Sequence, residues 1–491
     1  MHQQPQLVAT TNPTTLRQVP NYTKQAWLLI GSWALFLAVC LLARGGRFIA
    51  PLFPLGSVGV GLFLYFRTPG LYVGYTWWMC FLGALIRRII DYQSGFITAG
   101  RWSLTATLVA SICLITLVRY LPKTAWRRGG MPFILSSISV IYAFVVGLIF
   151  GKYNSQYLVG ALEWIAPIAF GFHLSVNWQH YPNFRQIIGR CFGWGVLVMG
   201  AYGIFQYCTA PDWDRFYLNN IDATSFGLPL PFEIRVFGTQ TAPQTFATVM
   251  MAGLLLLFGS EDRLRFLASG VGYLSFLLSM ARSGWLGWAV GTITFFPLLK
   301  PRLQMRFATT IVVMVLLIVP LVTMEPFAEV INGRLESFSN PEDDVSLQGR
   351  TEGYNDALQL AVMEVTGQGL GSVGPKTDLG ASDSGILPLL FSLGWAGAIP
   401  YIGGILLILF QLMQNKDKGK DPFSCAARAI ALGTLSQVWF NNVFSDVLGL
   451  VLWGFLGIGL AANQYYSSQR LEKGYKGIST NASSTRARAD L

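Results

Sequence analysis

The chain has 491 residues, 53% of them hydrophobic and only 12% charged, with a formal net charge of +11. A soluble protein of this length carries about a quarter charged residues, so composition excludes a water-soluble globular class and leaves a polytopic membrane protein. The positive balance is not a nucleic-acid signal, because the basic residues sit in short loops between apolar spans.

The first 25 residues are polar and read as a cytoplasmic tail. The apolar run that follows is as long as a full span, so it reads as a retained signal anchor rather than a cleavable signal peptide. Apolar segments near the ~20-residue bilayer-crossing length lie at about 26–43, 48–66, 69–86, 102–120, 131–150, 156–176 and 187–207. More follow at about 242–260, 265–281, 283–299, 306–324, 390–413, 424–440 and 445–463. The predicted fold is an all-α integral membrane bundle of about 12–14 transmembrane helices with a large extracytoplasmic loop. Residues 26–207 supply the N-terminal transmembrane helices, 208–413 a core that includes the outer loop at about 325–389, and 414–463 the C-terminal helices. The polar stretch 464–491 reads as a disordered cytoplasmic tail.

With the N-terminus in the cytoplasm, about two-thirds of the 35 lysines and arginines fall on the cytoplasmic side, which puts both termini there. Two outer loops are then long, at about 208–241 and 325–389. Within the second, Ala357, Leu358, Leu360, Ala361 and Val362 show helical periodicity and predict a short amphipathic helix at the membrane surface.

Four charged residues stand where apolar runs meet outer loops. Arg235 precedes Pro243, whose missing N–H suits a helix start. The free N–H groups of that first turn favour anions, and a guanidinium just upstream can grip phosphate oxygens. The same residue also fits an arginine snorkelling to lipid headgroups. Arg282 lies in an apolar run that is almost unbroken from Phe266 to Leu299, at the tip of a hairpin through Ser283 and Gly284. A cation there is costly and usually pairs or lines a polar cavity, although a simple stop signal has the same appearance. Arg350 opens the surface helix and fits either an anion site or a solvated loop cation. Asp383 precedes an apolar helix, where a carboxylate serves as an N-cap, as a base for a sugar hydroxyl, or as both. Glu163, an acid well inside a predicted helix, is placed to pair with an outer arginine or to line a pathway. Gln244 and Tyr354 are possible accessory residues beside the arginines, and Trp213 and Tyr217 are loop aromatics suited to stacking on sugar rings.

Other features exclude rival chemistries. The six cysteines and three histidines are dispersed without metal-ligand spacing, so no metal site is expected. Gly367-Gln368-Gly369-Leu370-Gly371 looks like a phosphate loop but has no preceding strand, and reads instead as a tight turn after the surface helix.

Taken together, Arg235-Val-Phe-Gly-Thr with Pro243, Ser279-Met-Ala-Arg-Ser-Gly-Trp, Gly349-Arg350, and Asp383-Ser-Gly-Ile-Leu with Leu393-Gly-Trp-Ala-Gly resemble the O-antigen ligase and polymerase family over roughly residues 200–413. The resemblance implies a GT-C-like, multispanning, metal-independent and inverting glycosyltransferase of the bacterial inner membrane, with its active site on the outer face and no cofactor. Its donor would be an undecaprenyl-diphosphate-linked oligosaccharide and its partners an acceptor glycan, membrane lipids and other polysaccharide assembly or export proteins. Arg235, Arg282 and Arg350 would bind the diphosphate, with Arg282 and Asp383 catalytic. The ligase branch commonly places histidine where this chain has Asp383, and an Asn-Pro-Asn where it has Thr241-Ala242-Pro243-Gln244. Both departures favour an exopolysaccharide polymerase over a ligase acting on a lipid acceptor. Lined arginines would also suit a transporter for a small anion such as inorganic carbon, but no inverted repeat is visible. A catalytically inactive scaffold in an export complex is a third reading.

Overall fold

The protein is described by a computed structural model over residues 20–96, 104–124, 129–150, 155–221, 226–299, 301–305, 307–309, 311–312, 357–370, 384–414 and 421–489, with backbone alone at 20–22, 150, 155 and 473–489. Among these residues the chain is all-α, and its β-type pairing is an isolated antiparallel bridge between Gly227 and Ile234.

Apolar run length sets the first helices. These are α1 (Pro20–Leu42), α2 (Gly46–Arg67), α3 (Pro69–Ser94), α6 (Met131–Phe150), α7 (Ser155–Val176) and α8 (Tyr181–Thr209). The predicted span at 102–120 is two pieces, α4 (Thr105–Ser111) and α5 (Leu114–Thr124). Tyr72 explains the break: its hydroxyl donates to the Val109 carbonyl at 2.8 Å, a side chain inserted where the helical ladder is interrupted. α3 runs two turns past its predicted end because its charges are satisfied. Arg87 pairs with Asp91 one turn on, at 2.6 Å, and Arg88 pairs with a distant aspartate described below.

A short helix α9 (Asp212–Asn220) follows α8, and then come α10 (Pro243–Phe258), α11 (Leu264–Leu278) and α12 (Arg282–Phe295). The chain turns between α11 and α12 at 279–281, not at Ser283–Gly284 as the sequence implies. Met280 takes the left-handed conformation, with φ 50°. Gly284 serves packing instead, since a Cβ there would lie 2.5 Å from that of Ala247 on α10. Residues 357–363 form the expected surface helix, in which Leu360, Val362 and Met363 are exposed. The last helices are α13 (Ile386–Met413), α14 (Pro422–Leu435) and α15 (Asp446–Ala489). α15 continues through most of the stretch read as a disordered tail. Once a helix is nucleated in the bilayer, each further residue adds a hydrogen bond without a new nucleation cost.

Eight described helical stretches, with α4 and α5 counted as one, are long and apolar enough to cross a membrane, while α10 and α11 are apolar but shorter. The number is lower than the 12–14 expected because α3, rich in tyrosine and tryptophan, falls short in hydropathy, α10 to α12 and α14 are short, and most of 306–324 lies outside the described residues. In α15, 83% of the apolar window is buried, against 11% in α1. α15 is therefore the bundle's axis and α1 a lipid-facing flank. Around the axis, Trp77 of α3 meets Phe192 of α8, Phe170 of α7 and Phe455 of α15 at ring-centroid distances of 4.9, 5.6 and 5.7 Å. α10 is buried on every side from Phe246 to Leu257, as an inner helix must be.

α7 and α15 approach closely through Gly171 and Gly457, where a Cβ on Gly457 would overlap the Gly171 backbone. Gly457→Ala is expected to lower stability by about 1–3 kcal/mol through overpacking. Gly403→Ala, where a Cβ meets nothing within 4 Å, is expected to leave stability unchanged or slightly raised. Melting temperatures of the two purified variants in detergent test the contrast.

Candidate functional site

One end of the bundle gathers the C-terminal ends of α3, α8 and α11 and the starts of α10, α12 and α13. The loop from Arg235 to Ala242 crosses this end and is hydrogen-bonded from two sides. On one side it lies against the α11–α12 turn. The Val236 N–H donates to the Leu278 carbonyl at 3.1 Å. The Arg235 guanidinium donates to the carbonyls of Ser279 (3.3 Å) and Met280 (3.0 Å). Arg282, half-buried, is the first residue of the helix that this turn begins. Arg235 and Arg282, 47 positions apart, therefore flank one turn. Both α10 and α12 start without a capping side chain. A cation at the first position of a helix faces the positive end of the helix dipole, an arrangement that an anion would relieve.

On its other side the loop is held by residues from the N-terminal half. Gln206 of α8 accepts from the N–H groups of Phe237 (3.0 Å) and Gly238 (2.8 Å) through Oε1. Its Nε2 donates to Asp214 of α9 at 2.7 Å. Asp214 also accepts from Tyr202 at 2.8 Å and pairs with Arg88 at 2.7 Å, both partners being almost fully buried. Arg88 in turn donates to the Gly238 carbonyl and lies 4.5 Å from the centroid of the Phe237 ring. Gln240 donates to the Cys80 carbonyl at 2.9 Å. Trp213 and Tyr217, expected to stack on sugars, are used here: Trp213 donates to Tyr202 (2.7 Å) and Tyr217 to the Thr241 carbonyl (3.0 Å). Burial pushes the Asp214 carboxyl above the usual carboxylate range, and Arg88, Gln206 and Tyr202 pull it partly back.

The start of α12 is tied to the far side of the site by a polar strip. Asn441 donates to Ser283 (3.1 Å) and to Gln437 (3.3 Å), and Gln437 accepts from Thr248 of α10 (2.7 Å). The Gly385 N–H, at the start of α13, donates to the Val438 carbonyl at 2.7 Å. Ser384 supplies the local cap, its Oγ accepting from the Ile386 N–H at 3.1 Å. The glycine-rich segment is a docked turn, as expected. Its Gln368, Gly369 and Leu370 N–H groups donate to the carbonyls of Phe391, Ser392 and Ala143, so they are not offered to a phosphate. Its partner is a kink in α13 at Gly394, with φ 59° and ψ −178°, a region essentially restricted to glycine.

Residues 246–402 match the family model of the O-antigen ligases. No curated protein matches the chain. The matched segment, called the ligase domain below after the family it resembles, covers about a third of the sequence, from within α10 to the middle of α13. Arg282, Arg350, Tyr354 and Asp383 fall inside it, while Arg235 and Gln244 lie just before it. Arg350, Tyr354 and Asp383 lie outside the described residues. Gln244 is the second residue of α10 and is half-buried. Among the described residues, Glu163 shows no contact with Arg235 or Arg282. Its electrostatic neighbour across α7 and α15 is Asp446, to which Thr107 donates at 2.8 Å. Sequence reasoning missed Arg88, Gln206 and Asp214, because no local pattern reports a pair 126 positions apart.

Gly394→Ala is expected to undock the glycine-rich turn of the ligase domain, since the new Cβ would overlap the backbone around Gly367. Hydrogen exchange of the amides at 367–370 should rise sharply in that variant; unchanged protection would contradict the packing described.

Proposed function

We propose that the protein is a polysaccharide polymerase. In this reading it moves a glycan from an undecaprenyl-diphosphate carrier to an acceptor sugar at the outer face of the bacterial inner membrane. One observation carries the reading: the Arg235 guanidinium is fixed to the turn that starts the helix headed by Arg282. Two cations from separate stretches thereby serve one place, at an end of the bundle where two helix N-termini also open. The ligase-domain match supports a membrane glycosyltransferase of the O-antigen ligase/polymerase type. The excess of lysine and arginine at the opposite end supports cytoplasmic termini and an extracytoplasmic site.

The chemistry requires charge neutralisation on a leaving diphosphate. The acceptor hydroxyl oxygen attacks the anomeric carbon as the bond from that carbon to the diphosphate oxygen breaks, with inversion. Arg235, Arg282 and Arg350 stabilise the negative charge that builds on the departing group, a role filled elsewhere by a divalent ion. Asp383 receives the hydroxyl proton. Aspartate rather than histidine at 383 is the feature that favours polymerase over ligase.

The test is incubation of purified protein with undecaprenyl-diphosphate oligosaccharide and separation of the products on a gel. A ladder is expected, whereas a single shifted acceptor band would mean a ligase. Arg282→Ala is expected to insert normally and lose about 10²–10³-fold in kcat. An Arg282→Ala protein that elongates at the wild-type rate would remove the basis of the proposal.

A further inference from the structure

We propose that Arg88, Asp214 and Gln206 form a positioning network for Arg235, acting through the backbone of Phe237 and Gly238. The inference rests on the reading of Arg235 as a diphosphate ligand and adds residues that the ligase domain does not contain. All three lie before residue 246, on α3, α9 and α8.

The network closes on itself. The Gln206 amide has one orientation that satisfies it: oxygen toward the two loop N–H groups and nitrogen toward Asp214. Asp214 gathers Gln206, Tyr202 and Arg88. Arg88 returns to the same loop at the Gly238 carbonyl and over the Phe237 ring. Both N–H groups and the carbonyl of this stretch are thus held by side chains of the N-terminal half. A buried ion pair adds little net stability compared with apolar packing of the same volume. What it supplies is direction, and the direction matters because of what stands two residues earlier. Arg235 is anchored to the α11–α12 turn through its guanidinium, and Val236 through its N–H. The network sets the other end of the loop, and so the height at which the guanidinium meets the turn beside Arg282. Gly238 adds a constraint of its own. It holds φ 52°, and a Cβ there would overlap the Phe246 ring of α10, so the loop cannot slide toward that helix.

Displacement of a catalytic cation by about an ångström costs roughly 100-fold in rate, so a positioning network has a kinetic signature. Full-length protein in nanodiscs is given undecaprenyl-diphosphate oligosaccharide as donor. Gln206→Met keeps the side chain's size and the Arg88–Asp214 pair but removes the two acceptor contacts. Tyr466→Phe removes one donor to Asp421 near the other end of the bundle and reports the effect of a similar lost hydrogen bond away from the loop. Gln206→Met is expected to lower kcat by about 100-fold, with the donor KM changed less than about threefold. Hydrogen exchange should rise in the 234–242 peptide. Tyr466→Phe is expected to keep kcat within about twofold of wild type at a comparable melting temperature. If Gln206→Met does not reach the membrane, Arg88→Lys is measured in the same way; it keeps a charge for Asp214 and loses the arm that reaches Gly238. Raised exchange at 234–242 with wild-type kcat overturns the inference and leaves the proposed function standing. A wild-type protein that turns over no such donor overturns both.

Discussion

Irregular backbone buried inside a protein is tolerated only where its N–H and C=O groups find partners there. The Arg235–Ala242 loop meets that condition through side chains of α3, α8 and α9 on one side and the carbonyls of the α11–α12 turn on the other. Everything at this end of the bundle follows from it. A loop without those partners would be driven out to water or into helix, and its arginine would have no fixed relation to Arg282. The buried Arg88–Asp214 pair is tolerable for the same reason, because each charge has hydrogen-bond partners beyond the other.

The glycine-rich turn repeats the principle. Its amides are satisfied by carbonyls of α13 and α6, two of them by Phe391 and Ser392 next to the kink at Gly394. It stabilises a break in a membrane helix and does not cradle a phosphate. In the proposed function, anion recognition falls to the guanidiniums and to the starts of α10 and α12, the division of labour expected if the ligand is a lipid diphosphate arriving from the bilayer. The ligase domain provides Arg282, but the loop that carries Arg235 is built against helices that precede the domain. The N-terminal half therefore holds in place the loop that carries Arg235.

Much of the fold was legible in the sequence because an apolar run of sufficient length has one stable outcome in a bilayer. α1, α2, α6 and α7 lie within a few residues of where hydropathy puts them. What hydropathy lacks is any term for hydrogen bonds between distant residues. It therefore missed the Tyr72-assisted break between α4 and α5, the extension of α3 past Arg87, and the short helix α9. The α11–α12 turn was read three to four residues late because Ser-Gly is a common turn pair, whereas here the glycine is required by contact with Ala247. At the site, the sequence reading grouped Arg235 with Arg282, and the structure fastens Arg235 to the turn that precedes Arg282. Trp213 and Tyr217, read as sugar platforms, also hold the loop, a role that no local sequence pattern reports.

The central claim is that Arg235 and Arg282 together receive one diphosphate. A cryo-electron microscopy structure of the protein with undecaprenyl diphosphate tests it most directly. The account predicts phosphate density within ~3 Å of both guanidiniums, against the turn that begins α12. Diphosphate density elsewhere, or the two arginines on different faces of the bundle, would contradict it.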